Sequence, residues 1–340
     1  MQRRQLLGYL GASTVAAGVA PWASAAGLQR VAIAVPGPGN LHFLPLALAL
    51  KTGSDVAQGI QLDIRYVGGG PQAFQQMLDR NTDFSVGGLP ALGLQKASGN
   101  PVVSVAPITR VPAYTLLVRK QFERSIKSIR DLSGQVLGVK GHVPGGRSTT
   151  QLITEFVLRQ AGVAPDKVNF VAVGQSFDSQ HAALASGTVD AIMGDEPFAT
   201  RLIKEKVAFA LADFHDLGQT RKLMGGLFLN GQLCTRDDFI ASKPDLVGKV
   251  VRTITRTLVW IHTHSAQDIV SSLALEDGPE RRAWLDVLAE HKNIYSPDGK
   301  FVPDEINTTN RFLHAVETGD AVAALDLSSI VNSRWAGQGV

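Results

Sequence analysis

The sequence has little cysteine, no strong excess of either charge and, beyond residue 26, no long uncharged apolar run. Cys234 is its only cysteine, which excludes an internal disulfide and any cysteine-rich metal site. Lys and Arg number 33 against 30 Asp and Glu, and they are scattered, so neither nucleic acid nor a membrane surface is indicated as a partner. No later run approaches about 18 uncharged residues, so no transmembrane helix is predicted there.

The remaining composition is that of a soluble globular protein. Hydrophobic residues make up 44% and charged residues 19% of the chain. A length of 340 residues is more than one ordinary hydrophobic core accommodates, so two domains are expected.

The first 26 residues are typical of an export signal. They combine the charged pair Arg3-Arg4, an apolar run rich in Gly and Ala, and the small-x-small end Ala23-Ser24-Ala25. The arginine pair resembles a twin-arginine signal, and a general secretory signal with two arginines is the alternative. Removal of this segment leaves 31 basic residues against 30 acidic ones. We expect an exported, periplasmic protein.

Apolar runs, glycine loops and helical segments then alternate in the manner of βαβ units on parallel sheets. Predicted strands lie at 30–35, 62–67, 82–86 and 102–107, and after a strand at 113–119 the rhythm restarts at 135. From about residue 212 the pattern becomes helical, with segments at 245–264, 266–275, 279–291 and 304–318. The chain is thus predicted to contain two α/β units and a helical return.

The segment 135–158 contains the clearest candidate for a ligand site. It reads as a buried strand (QVLGVK), a Gly/Pro loop (GHVPGGRSTT) and an amphipathic helix (QLITEFVL). A helix N-terminus presents unpaired N–H groups and the positive end of its dipole, which suits an anion. The loop also matches a Walker A pattern with Arg147 in place of lysine. Arginine does not replace lysine at that position, and no partner strand ends in a magnesium-binding carboxylate, which argues against a nucleotide site.

Several stretches together resemble the periplasmic substrate-binding proteins of ABC importers, in the branch for nitrate, sulfonates, taurine and thiamine precursors. They are IRDLSG at 129–134 before QVLGVK, AALASGTVDAI at 182–192, the pair Glu196-Pro197, and DDFIASKPDLVGKVV within 235–251. The resemblance covers about residues 31–316. It departs at 52–57, where the branch has an aromatic-rich turn, and the single Cys234 argues against the cysteine-rich thiamine-pyrimidine subgroup.

The resemblance implies a type II periplasmic-binding fold: two α/β lobes, each a mainly parallel sheet flanked by helices, with a helical C-terminal return. Lobe 1 is expected to comprise residues 27–111 and 219–340, and lobe 2 residues 112–218. The implied function is capture of a small, anionic organic nutrient in the cleft between the lobes and its delivery to a permease in the inner membrane. We expect a monomer without cofactor or metal.

In open α/β sheets, ligands bind beyond the carboxyl ends of the strands, at the loops that enter helices. Four such loops lie at 36–42, 87–90, 141–150 and 194–197. Tight turns, close packing or helix-terminal charges explain the same residues without a ligand. The candidate ligand-binding residues in or beside these loops are Asn40, His42, Ser85, Gly87, Gly88, Gly146, Arg147, Ser148, Thr149 and Asp195.

Two other functions fit the same resemblance. One is an enzyme on this fold, such as a pyrimidine-forming or hydrolytic relative, although no catalytic motif rises above chance in the sequence. The other is a periplasmic sensor that presents its ligand to a receptor. Of the candidates, Arg147 and the turn 148–150 are expected to form the polar anchor, while Asp195 would accept an ammonium group.

Overall fold

The computed structural model describes residues 27–140 and 147–338. The predicted export signal and Gly146 lie outside these residues. The strands in the described part are β1 (Gln29–Pro36), β2 (Ile60–Val67), β3 (Phe84–Gly88), β4 (Val102–Pro107), β5 (Tyr114–Arg119), β6 (Val136–Lys140), β7 (Asn169–Val173), β8 (Ala191–Asp195), β9 (Ala208–Asp213) and β10 (Gly231–Arg236).

The α-helices lie between and after these strands. They are α1 (Leu44–Thr52), α2 (Gly70–Leu78), α3 (Leu89–Ala97), α4 (Thr149–Gln160), α5 (Phe177–Ser186), α6 (Phe198–Lys204), α7 (Leu217–Met224), α8 (Asp237–Ser242), α9 (Pro244–Thr263), α10 (Ala266–Ser272), α11 (Pro279–His291), α12 (Pro303–Val316) and α13 (Asp320–Ala323). The four late helices predicted from the sequence correspond to α9, α10, α11 and α12.

The strands form two five-stranded sheets with the same arrangement. The first has the order β2-β1-β3-β10-β4 and the second β7-β6-β8-β5-β9. Neighbouring pairs such as β1 with β2 and β6 with β7 are parallel, whereas β10 and β5 run antiparallel to both of their neighbours. Each sheet is therefore mainly parallel with one antiparallel strand, and the predicted fold class is confirmed.

The antiparallel strand of each sheet is the strand that the chain enters directly from the other sheet. Residues 108–113 lead from β4 into β5, and residues 225–230 lead from α7 back into β10. These connections are paired, because Phe228 N–H donates to the Arg110 carbonyl at 3.1 Å and Asn230 N–H to the Thr109 carbonyl at 3.1 Å. The lobe boundaries predicted at 111/112 and 218/219 stay predictions.

Separate hydrophobic cores form around the two sheets. The first core packs β1, β3 and β4 against α1, α9 and α11 through residues such as Ile33, Leu48 and Ile254. The second packs β5, β6 and β8 against α4, and it also receives Phe312 and Val316 from α12. Helix α12 thus packs against α4 in the second core although β10, which precedes it, belongs to the first sheet.

Two further findings concern the described residues. No helix in this part of the chain combines the length and apolar character needed to cross a bilayer. Nor does it contain a group of three or more His, Cys, Asp or Glu side chains placed to hold a metal ion.

Candidate functional site

A cavity of ≈ 50 Å³ lies between the carboxyl ends of the two sets of parallel strands. Both sheets and the loops that follow their strands contribute to its wall. Its lining residues are Pro36, Asn40, Phe43, Gly70, Pro71, Gly87, Gly88, Ala91, Tyr114, Lys140, Ser148, Thr149, Thr150, Gln175 and Asp195. The volume is far below that of a typical drug-sized pocket, so the space between the strands suits a compact solute.

Lys140 and Asp195 form the charged centre of this cavity. They are the last residues of β6 and β8, which are parallel neighbours, so their side chains emerge side by side at one edge of the sheet. Lys140 Nζ lies 2.6 Å from Asp195 Oδ1, and each side chain is only 2% exposed. The contact is a buried ion pair at hydrogen-bonding distance, and it leaves the remaining N–H groups of the ammonium without a partner among the described residues.

The surroundings of this pair hold it in place. Gln180 donates its side-chain N–H to Asp195 Oδ2 at 3.0 Å, and the Tyr114 ring lies 4.8 Å from Lys140 Nζ. Burial lowers the pKa of Lys140, and the Asp195 carboxylate opposes that shift. A lysine and an aspartate in contact have no net charge, whether both are ionised or both are neutral.

The N-terminus of α4 forms a second wall of the cavity. Ser148 is the N-cap, and its hydroxyl accepts a hydrogen bond from Gln151 N–H at 3.3 Å and lies 2.9 Å from Thr150 Oγ1. Thr149 Oγ1 is buried and has no hydrogen-bond partner within the described ranges. The turn therefore presents an orphaned hydroxyl beside the positive end of a 12-residue helix.

The loop after β1 brings Asn40 and His42 to the opposite side. Asn40 Oδ1 accepts from His42 N–H at 2.8 Å, which caps a short 3₁₀ turn at Leu41–Phe43, and Asn40 lines the cavity. The His42 ring lies behind this wall, with Nδ1 3.5 Å from both Thr109 Oγ1 and Asn230 Nδ2. Burial lowers the pKa of His42 to about 4, which leaves the imidazole neutral at physiological pH.

Gly87 and Gly88 bring the backbone of β3 close to the other side of the cavity. A Cβ at Gly87 would lie 2.5 Å from the Phe74 ring. A Cβ at Gly88 would overlap Thr149 Oγ1 and lie 2.9 Å from Asn230 Oδ1, an acceptor that has no donor among the described residues. Only a residue without a side chain leaves room here for α4.

The structure places some of the candidate residues predicted from the sequence on the cavity wall and others away from it. It places Asn40, Gly87, Gly88, Ser148, Thr149 and Asp195 on the cavity wall. His42 is behind the wall, and Ser85 is buried within β3, where its hydroxyl contacts Met77 Sδ at 3.6 Å.

Arg147 does not line the cavity. Its guanidinium donates to Glu155 Oε2 at 2.6 Å and also pairs with Glu317, the residue after α12. The sequence indicated an anchor for the ligand at this position, and the structure instead shows a partly exposed link between α4 and the end of α12. A helix N-terminal position alone does not determine which way a long side chain points.

Glu196, next to Asp195, also points away from the cavity. Its carboxylate accepts from Thr115 Oγ1 at 2.9 Å and Thr200 Oγ1 at 2.8 Å, and His215 Nδ1 lies 3.7 Å away. Burial raises the pKa of Glu196, and these donors and His215 oppose the shift. The two adjacent carboxylates therefore have different surroundings.

Sequence reasoning missed Lys140, Tyr114, Gln175 and Asn230. Lys140 carried a usable signal, because a lysine that ends an otherwise apolar strand must either reach solvent or find a partner. Tyr114 begins β5, Gln175 follows β7 and Asn230 directly precedes β10, but their positions relative to β6 and β8 depend on the order of strands in the sheets.

Comparisons with known proteins identify the family and the fold. The NMT1/THI5-like family pattern matches residues 40–267. YtlA of Bacillus subtilis (strain 168) is 22% identical over 264 residues, which cover 76% of this chain and 75% of YtlA. A solved structure from Bordetella bronchiseptica RB50 has a TM-score of 0.81 at 25% identity, covering 90% of this chain and 95% of its own.

A second solved structure is the alkanesulfonate-binding protein SsuA from Xanthomonas axonopodis pv. citri bound to MOPS. It has a TM-score of 0.69 at 17% identity, and the match covers 91% of this chain and 100% of SsuA. Such a likeness shows the fold, and the family match extends over more than half of the sequence. The chain belongs to the NMT1/THI5-like family and has the fold of periplasmic binding proteins.

Proposed function

We propose that this protein is the solute-binding component of an ABC importer, which captures a small organic solute with an anionic group between its lobes and delivers it to a membrane permease. The observation that carries the proposal is the cavity between two α/β lobes. Its walls contain the buried Thr149 Oγ1, which has no hydrogen-bond partner in the described part of the chain, and the Lys140 ammonium, whose partner there is the Asp195 carboxylate. Orphaned buried polar groups indicate that a ligand or ordered water completes the site.

Helix N-termini support an anionic group on the ligand. Ser148 and Gly88 are the N-caps of α4 and α3, Gly70 begins α2, and all three residues line the cavity. Each helix start presents backbone N–H groups and a partial positive charge. The family relationship and the alkanesulfonate-binding neighbour are consistent with such a ligand.

The mechanism that fits is closure of the lobes around the solute. Leu41 N–H donates to the Glu196 carbonyl at 2.8 Å, and the Thr149 side chain packs on Gly88, so both contacts join parts of the chain that are separate in sequence. Binding energy would shift an equilibrium between open and closed forms, with the paired connections at 108–113 and 225–230 as the hinge. The closed form would then dock on the permease.

Binding, rather than catalysis, is the chemistry that the relatives favour. Cys234, a nucleophile in other contexts, is fully buried in β10 and does not line the cavity. Burial also raises the pKa of its thiol, which disfavours the reactive thiolate. The charged, apolar and small-residue pattern of residues 1–26 supports export to the periplasm, where such a protein would work.

A binding screen with a structural readout tests the proposal. Alkanesulfonates, aminosulfonates, nitrate and aromatic carboxylates would be titrated calorimetrically into the purified mature chain, and small-angle scattering would follow closure. Ala91→Trp places an indole ring at the cavity wall. Ala97→Trp places the same side chain at the end of the same helix, α3, outside the cavity lining. We expect a hit that compacts the protein and is abolished only by Ala91→Trp. Failure of every solute to bind, or binding that survives Ala91→Trp, would contradict the proposed site.

Transport is tested in cells. Deletion of the gene should abolish uptake of the identified solute, and the intact gene, but not the Ala91→Trp form, should restore it. Uptake that persists after deletion would contradict a role in import while leaving binding intact.

A further inference from the structure

We propose that the ligand is a compact organic zwitterion whose anionic group binds Lys140 and the α4 turn while its ammonium group takes over the Asp195 carboxylate. This inference rests on the proposed binding function and names the class of solute. It assigns Lys140 and Asp195 as the residues that select net-neutral ligands over simple anions.

The part of the cavity wall that the structure describes has no net charge. Lys140 and Asp195 are the only charged side chains among the described residues that line the cavity, and together they carry no net charge. His42 behind the wall is neutral at physiological pH because burial lowers its pKa to about 4. The guanidinium of Arg147 is paired with Glu155 and Glu317 outside the cavity. A buried site without net charge favours a ligand without net charge.

Groups that favour an anion and groups that favour a cation lie in different parts of the cavity wall. The start of α4, with the orphaned Thr149 hydroxyl, and the incompletely bonded Lys140 ammonium both favour an anionic group. Asp195 has the opposite preference, and one of its oxygens is already held by Gln180. A ligand with both charges therefore matches two distinct parts of the wall.

Monoanions and zwitterions differ in the charged groups that they leave without a partner in the cavity. A monoanion that recruits Lys140 would deprive the buried Asp195 of its cationic partner, which is strongly unfavourable. A monoanion that leaves the pair intact is balanced only by the partial positive charges of the helix N-termini in the wall. A zwitterion replaces one internal ion pair by two pairs between protein and ligand, so every charge keeps a partner.

Matched pairs of probes test the inference without knowledge of the natural ligand. 2-Aminoethanesulfonate is compared with 2-hydroxyethanesulfonate, and 3-aminopropanoate with 3-hydroxypropanoate, by calorimetry at pH 7.5. Within each pair the anionic group and chain length are constant, and the ammonium group alone is exchanged for a hydroxyl. We expect at least one zwitterion to bind, and to bind at least about tenfold more tightly than its matched anion.

Variants identify the groups responsible. Asp195→Asn leaves a positive site and should reverse the preference toward the monoanion, again by about tenfold or more. Asp166→Asn removes the same charge from an exposed position outside the cavity and should leave the ratio unchanged. If Asp195→Asn proves unstable, the double variant Lys140→Met with Asp195→Asn removes both charges and should bring the two affinities together.

The outcomes separate this inference from the proposed function. A monoanion that binds wild-type protein as tightly as its matched zwitterion would overturn the inference and leave solute binding intact, as would binding of anions alone. An unchanged preference in Asp195→Asn would overturn the assignment of that residue. Absence of any binding or closure across the whole panel would remove both the inference and the proposed function.

Discussion

Lys140 Nζ and Asp195 Oδ1 lie 2.6 Å apart in a position where both side chains are withdrawn from water. The two residues end neighbouring parallel strands, so the backbone of the sheet fixes their spacing. Removal of two charges from water is expensive, and mutual attraction offsets that expense only while both partners are present. The stability of the folded protein therefore depends on the presence of both charges, in addition to their role in the cavity.

The first prediction concerns the stability of this pair. Lys140→Met leaves a buried carboxylate without its cation and should lower the free energy of unfolding by about 3 kcal/mol or more. The double variant Lys140→Met with Asp195→Asn should regain most of that loss, since no buried charge is left unpaired. Urea denaturation of the four proteins of the cycle measures the coupling. Additive effects of the two substitutions on the free energy of unfolding would contradict an interacting pair. Lys120→Met, which removes a lysine from an exposed ion pair, serves as the control.

The fold was largely predictable because its local elements follow from short-range patterns. Apolar runs bounded by glycine loops correspond to β1, β4 and β6, and helical periodicity predicted α9 and α11. The positions of β5 and β10 in the sheets were not predictable in this way. Both insert as antiparallel strands beside segments far away in sequence, and nothing in a six-residue run indicates its neighbours.

The site was predictable only as a set of loops. The sequence indicated Gly88 and the turn at 148–149, because backbone groups at strand and helix ends must lie at the cleft. It did not indicate the direction of Arg147, whose partners Glu155 and Glu317 lie 8 and 170 residues further along the chain. The Lys140 ion pair depends on the register of β6 against β8, which only the tertiary structure specifies.

The second prediction concerns closure and tests Gly88. Its backbone is extended, with φ −79° and ψ 139°, so alanine meets no conformational barrier there. The methyl group would instead overlap Thr149 Oγ1 and hold α4 away from β3. We expect Gly88→Ala to weaken ligand binding about tenfold or more and to keep the scattering radius at the open value when ligand is added.

Gly319 provides the matched control for this experiment. Its backbone is similarly extended, with φ −70° and ψ 142°, it lies outside the cavity lining, and a Cβ there meets no atom within 4 Å, so Gly319→Ala should bind and close normally. Thr149→Gly should restore closure to Gly88→Ala, because it removes the side chain that the new methyl group meets. Normal closure of Gly88→Ala alone would show that this contact does not limit the approach of the two lobes.

The third prediction separates two roles for Arg147. Because its guanidinium lies outside the cavity wall and holds the buried Glu155, Arg147→Gln should reduce stability by about 1–3 kcal/mol while leaving ligand affinity within about threefold. Denaturation and calorimetry on the same samples measure both quantities. Arg159→Gln, near the end of α4, removes hydrogen bonds to two α12 carbonyls without exposing a buried carboxylate, and it is the control. A loss of affinity of about tenfold or more without a loss of stability would instead support the anchoring role expected from the sequence.

The fourth prediction concerns acid stability and His42. Burial lowers the pKa of His42 to about 4, against an ordinary value near 6.5 in the unfolded chain. Between these two values the unfolded chain binds a proton that the folded chain refuses, so this residue makes folding progressively less favourable as the pH falls from about 6.5 to 4. The shift corresponds to about 3 kcal/mol of stability, and this amount is completely lost only below pH 4.

His42→Gln should remove this pH-dependent component. The free energy of unfolding from urea titrations should therefore decline less steeply in the variant than in wild type as the pH falls from about 6.5 to 4. His314→Gln changes an exposed histidine and should reproduce the wild-type slope. Parallel plots of unfolding free energy against pH for wild type and His42→Gln would show that His42 protonates as easily in the folded protein as in the unfolded chain.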